Sequence, residues 1–220
     1  MNLKKIKCVV LDFDGTMYSG GDWSNEPILF GEFLVKKNLL PEYPTRDEKL
    51  EYLKNKYPNY HVIQQMFAFL HDNGIDDTEF RQYNEENICE IRSEDIVFIN
   101  PELISGLAKS YSLYMISDSA IPYLEFYLEH AGIDKRNFKE ILSNEYKDEG
   151  LTKIPMMKKV LARTGLKPDE ILMIGDSEKS DIIPAKLVGF QTCHVMHVSE
   201  TEKILRKLIR AKNSKAQFNF

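Results

Sequence analysis

Two carboxylates, Asp12 and Asp14, stand one residue apart where the apolar run Val9-Val10-Leu11 ends, and Gly15 and Thr16 follow them. Other polar groups close other apolar runs. Ser117 and Asp118 follow Leu113-Tyr114-Met115-Ile116, and Gly175-Asp176-Ser177 follows Ile171-Leu172-Met173-Ile174, with Asp181 a little further on. Lys153 lies before the stretch that leads to Asp176. Desolvated carboxylates without partners repel one another and are costly, so a bound cation or a catalytic task would explain such a set. Hard carboxylate oxygens suit Mg²⁺, which keeps waters and bridges phosphates. A Ser hydroxyl and a Lys ammonium are donors for phosphate oxygens, and glycine-containing turns offer backbone N–H groups to anions. An Asp carboxylate can attack phosphorus and form an acyl phosphate. A second Asp beside it can protonate the leaving oxygen and then activate water. Residues i and i+2 of a strand point the same way, so Asp12 and Asp14 can face one reacting centre unless the turn redirects the second.

The elements that would position these residues follow from the apolar pattern. Short runs at Val9–Leu11, Ser112–Ile116, Ile141–Leu142 (within Phe138–Ser143), Glu170–Ile174 and Phe190–Val195 read as strands. Helical patterns at Ile121–Ala131, Ile154–Thr164 and Ile182–Leu187 separate them. Strands alternating with helices imply βαβ units and a mostly parallel sheet. Right-handed crossovers bring the carboxyl ends of all these strands to one edge, where open α/β sheets bind ligands.

The stretch from about Asn25 to Arg92 breaks this alternation. Pro27–Lys37, Thr45–Lys56, His61–His71 and Thr78–Glu90 read as helices, punctuated by Pro41, Pro44, Pro58 and Asn73-Gly74. The expectation is a core made of residues 1–20 and 93–220 and an all-helical cap of residues 21–92. A cap leaving the chain directly after the acidic turn belongs over the strand ends as a lid; the alternative is a helical extension packed elsewhere. Trp23 and Tyr18, with Gly20-Gly21, would enter its hinge or pocket. Phe67 and Phe69 are expected between helices, while Phe80 and Tyr83 are further pocket candidates. Glu202–Lys212 reads as an amphipathic helix and 213–220 as frayed.

A net charge of −5 gives no basic surface for nucleic acid. No apolar run reaches the roughly 18 residues of a membrane span, and the basic N-terminus leads into strand one rather than a signal peptide. Cys8, Cys89 and Cys193 are odd in number and scattered, without disulfide or zinc spacing, so a reduced, cytoplasmic setting is expected. His61, His71, His130, His194 and His197 lack acidic partners at metal-ligand spacing and are not assigned to catalysis.

On these residues the chain resembles the phosphatase-like branch of the haloacid dehalogenase (HAD) superfamily. Asp12-Phe13-Asp14-Gly15-Thr16 resembles its first motif, DxDGT, and Ser117 after an apolar strand its second. Lys153 at the head of a helix resembles the third, for which Lys147 and Lys158 are nearby alternatives. Gly175-Asp176-Ser177-Glu178-Lys179-Ser180-Asp181 resembles the fourth, GDxxxxD. The resemblance implies a Rossmann-like fold under a helical cap, with Asp12 as nucleophile and Asp14 as general acid/base whose backbone carbonyl also binds metal. Asp12, Asp14, Asp176 and Asp181 would form the Mg²⁺ site, Asp181 as a ligand or as support for one. Ser117, Asp118 and Lys153 would form the phosphate site. Asp118 stands where many relatives carry Asn, and its plain reading is a helix N-cap, a role Ser119 could also fill. The substrate implied is a small phosphorylated metabolite of the phosphoglycolate, sugar-phosphate or nucleotide type. Asp14 argues against the dehalogenase and phosphonatase branches. A phosphomutase of the same family is one alternative. A receiver-like regulatory module is another, although receivers are shorter and lack the insert.

Overall fold

In the computed structural model, residues 2–19, 25–58, 62–87, 97–119, 121–143 and 153–216 are described. The first half of the chain contains β1 (Cys8–Leu11), β2 (Tyr18–Ser19), α1 (Asn25–Lys36), α2 (Arg46–Lys56), α3 (Val62–Asp72) and α4 (Asp77–Asn87). Then come β3 (Val97–Phe98), α5 (Pro101–Ala108), β4 (Ser112–Ile116), α6 (Ile121–His130) and β5 (Glu140–Leu142). The last third holds α7 (Ile154–Thr164), β6 (Ile171–Gly175), α8 (Ile183–Val188), β7 (Gln191–His194) and α9 (Val198–Ala216). These form two compact units, Met1–Gly20 with Asp95–Phe220, and Gly21–Glu94.

The first unit is a Rossmann-like α/β fold. Its five-stranded sheet has the order β5-β4-β1-β6-β7, and every neighbouring pair is parallel. Residues Cys8–Leu11 of β1 are fully buried, as a central parallel strand covered on both faces requires; its sequence is therefore a continuous apolar run rather than an alternation. Cys8 and Val10, Tyr114 and Ile116, and Ile171 and Met173 share one face, packed on Met156, Met157 and Val160 of α7 and Ala185 of α8. The alternate residues Val9, Leu11, Leu113, Met115, Leu172 and Ile174 are equally buried. Because β1 lies between β4 and β6, the chain runs outward from it in both directions. Such a switch point leaves a crevice at the carboxyl ends of the central strands.

The fold contains three elements that the apolar pattern did not reveal, α5, β2 and β3. Helix α5 has Asn100 as N-cap, its side chain accepting from the Glu102 N–H at 2.8 Å, with Pro101 in the first turn. Strands β2 and β3 pair antiparallel, Tyr18 opposite Phe98. Two-residue strands carry no periodicity to read. Helix α9 begins at Val198 and runs to Ala216, longer than the expected Glu202–Lys212. Its buried face starts at Val198 and Thr201 and continues through Leu205 and Leu208. Part of the expected frayed tail is thus helical.

The second unit is all helical. Phe30, Phe33 and Leu34 of α1, Leu53 of α2, Met66, Phe69 and Leu70 of α3 and Phe80 of α4 form its core. Phe80 and Tyr83 therefore belong to this core or pack against it, and Phe67 is partly buried on it. Thr45 caps α2 through a capping box with Glu48. Trp23, Gly20-Gly21, His61, Cys89 and Lys147 lie outside the described residues. Among the described residues no helix is long and apolar enough to cross a membrane.

Candidate active site

Asp12 follows β1, Ser117 follows β4 and Asp176 follows β6, three neighbouring strands of the sheet. The Asp12 N–H donates to the Ile174 carbonyl and the Ser117 N–H to that of Leu142, so the sheet ladder holds the backbone at both strand exits. Carboxylate oxygens of Asp12, Asp176 and Asp181 all lie within 4.8 Å of one another. Asp12 and Asp181 are buried, and Asp176 is half-buried.

Lys153 stands at the N-cap position of α7 but makes no side-chain cap bond. Its ammonium instead reaches Asp12 Oδ1 at 2.5 Å and Asp181 Oδ1 at 2.7 Å. A cation at a helix N-terminus works against the helix dipole, by about 0.3–1 kcal/mol, and the two carboxylates outweigh this. Lys158 is exposed on the same helix. Burial favours the neutral amine of Lys153, but the charges of Asp12 and Asp181 outweigh it and hold the ammonium above lysine's ordinary range. Burial and the charge of Asp181 push the Asp12 carboxyl well above the usual carboxylate range, against the pull of Lys153. Asp176 is pushed up to about 6, first by burial and then by Asp181.

Two glycines make this crowding feasible. A Cβ on Gly15, whose φ is +73°, would lie 2.3 Å from Asp176 Oδ2. One on Gly175 would lie 2.5 Å from Asp181 Oδ2. The carboxylates pack directly on the backbone, and only glycine leaves that room. Asp181 is carried in by a π-helical turn, Glu178–Ile182, capped by Ser177. Its Oδ2 accepts from the Ser177 N–H at 3.0 Å.

Asp14 is placed differently. Strand β1 ends at Leu11, and residues 14–17 form a turn, so strand alternation no longer sets the direction of Asp14. Its carboxylate lies outside the three-carboxylate cluster. Oδ1 accepts from the Tyr18 hydroxyl at 2.8 Å, and Oδ2 from Ser119 Oγ at 2.8 Å and Ser117 Oγ at 3.3 Å. Burial raises its carboxyl above the ordinary value, while the bonds from Ser119 and Tyr18 work against that rise. Thr16 Oγ1 donates to Asp12 Oδ2 at 3.2 Å. His194 Nε2 lies 2.6 Å from the Asp176 carbonyl oxygen. Asp118 is half-buried, and its charge acts on Lys153. Ser119, the other capping candidate, gives its hydroxyl to Asp14 instead. Thr16, Ser119 and His194 touch the site without a chemical role legible in the sequence, and Tyr18, expected at the hinge or pocket of the insert, bonds Asp14. The sequence signal for Thr16, Tyr18 and Ser119 is proximity, at i+2 or i+4 from an acid or from Ser117; His194, 18 residues from Asp176, carries none.

The donor set is all oxygen. Three carboxylates facing one ammonium leave a formal double negative charge, which a divalent cation would neutralise. The residues present therefore fit a hard divalent cation.

A model of the haloacid dehalogenase-like hydrolases matches residues 6–189, which contain the three carboxylates, Asp14, Ser117 and Lys153. The chain belongs to the haloacid dehalogenase-like hydrolase family. It is 26% identical over 196 residues to pyrophosphatase PpaX of Bacillus cereus (strain AH820), covering 87% of this chain and 83% of that protein. Its fold is similar to that of a HAD phosphatase from Thermococcus onnurineus, with a TM-score of 0.62 at 18% identity, covering 91% of this chain and 98% of the other. It is also similar to the HAD hydrolase YfnB of Bacillus subtilis, solved bound to magnesium, with a TM-score of 0.57 at 19% identity over 91% and 99% of the two chains. As a HAD-like hydrolase, the chain is an enzyme rather than a receiver-like regulatory module.

Proposed function

We propose that this hydrolase cleaves a small phosphomonoester with Mg²⁺, through a phosphoryl group carried on Asp12. The carrying observation is the convergence of the Asp12, Asp176 and Asp181 carboxylates, within 4.8 Å of one another beside the carboxyl ends of β1 and β6, with the buried Lys153 ammonium bonded to Asp12 and Asp181. Asp12, Asp176 and Asp181 would hold the cation, with the backbone carbonyl of Asp14. The bound cation supplies charge stabilisation for the phosphate oxygens.

The residues of the chain do the rest. An Asp12 oxygen attacks phosphorus, and the bond from phosphorus to the leaving oxygen breaks with its electron pair. The proton on Asp14 passes to that oxygen, so the alcohol departs neutral and Asp14 is left as a carboxylate. Asp14 then takes a proton from water, whose oxygen attacks phosphorus; the Asp12–phosphorus bond breaks, and phosphate and the Asp12 carboxylate are released. Lys153 counters the charge of Asp12 and, with Ser117, holds the transferring group. Thr16 orients Asp12. Asp118 lines the phosphate side near Lys153. We assign the choice of substrate to the helical insert, residues 21–92, which leaves the chain directly after the acidic turn and has no share in these steps. The curated relative's name favours a second reading, hydrolysis of a phosphoanhydride such as inorganic pyrophosphate.

Phosphate release from a panel of phosphomonoesters and pyrophosphate, with EDTA and with Mg²⁺, tests the proposal. Release from at least one ester, halted by EDTA and restored by Mg²⁺, is expected. No release from any member, or full release in EDTA, would overturn it. Pyrophosphate turned over faster than every ester would establish the second reading, and an isomeric phosphate formed without free phosphate would identify a mutase.

A further inference from the structure

We propose that Tyr18, itself held by Tyr123, is the positioning residue for the Asp14 acid/base group. This rests on the role given to Asp14 above. The two serine hydroxyls both bond Oδ2, and two bonds to one oxygen leave the carboxylate able to swing about it. The Tyr18 hydroxyl bonds Oδ1 at 2.8 Å and so fixes the other end. Behind it, the Tyr123 hydroxyl lies 3.0 Å from that of Tyr18. Both tyrosines are buried, at 5% and 8% exposure, so neither hydroxyl points into bulk water.

The rings are fixed independently of Asp14. Tyr18 stacks on Tyr127 at 5.8 Å with planes 4° apart, and lies 5.2 Å from Phe13 and 6.0 Å from Phe98. Tyr123 lies 4.6 Å from Tyr127. The β2–β3 pairing anchors the Tyr18 backbone. A rigid aromatic block thus carries one hydroxyl to one carboxylate oxygen. Phenylalanine would supply the same packing, and a buried hydroxyl is worth having only where it is bonded. The bond to Asp14 sets the direction from which its proton reaches the leaving oxygen in the first step. Small errors of placement cost rate when a proton must be delivered in the transition state.

The test uses leaving groups of different quality. The p-nitrophenolate of p-nitrophenyl phosphate departs without a proton; an alkoxide does not. In a mechanism through Asp12, kcat/KM reports the step in which the leaving group departs. Wild type, Asp14→Asn, Tyr18→Phe and Tyr123→Phe are compared on p-nitrophenyl phosphate and on an alkyl phosphate that the enzyme turns over. Proton donation by a positioned acid is worth about 10²–10⁴-fold where it is needed. Asp14→Asn is expected to lose that factor on the alkyl ester alone. Tyr18→Phe is expected to lose about 10-fold in kcat/KM on the alkyl ester and under about 3-fold on the aryl ester, with Tyr123→Phe following the same pattern more weakly. A merely structural role would lower both substrates together. Selective loss in Asp14→Asn, with equal, absent or reversed effects in Tyr18→Phe, would overturn the role of Tyr18 alone. Equal losses in Asp14→Asn would overturn the acid assignment and this inference with it. If Tyr18→Phe does not fold, Tyr123→Phe decides by the same criterion.

Discussion

Replacing Lys153 by Met removes one charge and keeps the length and apolar stem of the side chain. The ammonium is 4% exposed and serves two carboxylates, Asp12 at 4% and Asp181 at 0%. Removing one partner of a buried ion pair costs about 3–5 kcal/mol, because the remaining charge stays buried without its counter-charge. A chain of this size loses about 2–4 °C of Tm per kcal/mol, so a fall of roughly 6–20 °C is expected at pH 7 without metal. The sign of the pH dependence follows from Asp12. Its carboxyl is already held well above the ordinary value, and losing Lys153 raises it further. A carboxylate raised on folding adds stability below its unfolded pKa and loses it as pH rises through the folded value. The deficit of the variant therefore grows as pH rises through the folded value of Asp12 and narrows below it. Urea unfolding in EDTA across a pH series, followed by circular dichroism, measures it, with exposed Lys158→Met on the same helix as a control expected within about 0.5 kcal/mol of wild type. A deficit below about 1 kcal/mol at pH 7, or one that narrows as pH rises, would refute the reasoning.

The half-buried Asp176, pushed up to about 6 from 3.8, gives the wild type a slope of its own. Stability from this group is fully present below its unfolded value and is lost as pH rises through about 6. In EDTA the protein should lose on the order of 1 kcal/mol between pH 5 and 7, after allowance for solvent screening; Asp176→Asn should flatten the slope and Mg²⁺ should restore stability at pH 7. An unchanged slope in Asp176→Asn would contradict this. Gly15→Ala would place a methyl 2.3 Å from Asp176 Oδ2 at a φ of +73°. It should cost about 1–2 kcal/mol of stability from the left-handed backbone alone, and raise the Mg²⁺ needed for half-maximal activity by about 10-fold or more. A wild-type Mg²⁺ titration in that variant would contradict the close packing.

The parts of the fold legible in the sequence are those governed by burial. The runs ending at Leu11, Ile116 and Ile174 are apolar because central parallel strands are covered on both faces, and they point directly to Asp12, Ser117 and Asp176. Helix α7 is equally plain, its buried Met156, Met157 and Val160 recurring at helical spacing. What the sequence hides is direction. Nothing in Asp12-Phe13-Asp14 says that the strand stops at Leu11 and that the turn carries Asp14 to Tyr18, Ser117 and Ser119. Choosing Lys153 among nearby lysines becomes decisive only when its ammonium is seen between Asp12 and Asp181. Ser119 looked like a cap because its bond to Asp14 joins residues far apart in the chain. Phe67 and Phe69 read as packing between helices and Phe80 and Tyr83 as pocket candidates, yet Phe80 too serves to pack α4 on α1, where its ring meets Phe30 edge-on at 4.8 Å.

The central claim is that phosphorus becomes bonded to Asp12. Mixing the enzyme with a phosphorus-labelled ester that it turns over, quenching rapidly with acid and digesting the protein measures this directly. Label should appear transiently on the peptide containing Asp12 in the wild type and be absent in Asp12→Asn, which should be folded and inactive. Label found on another peptide, or phosphate released by Asp12→Asn at the wild-type rate, would contradict the account.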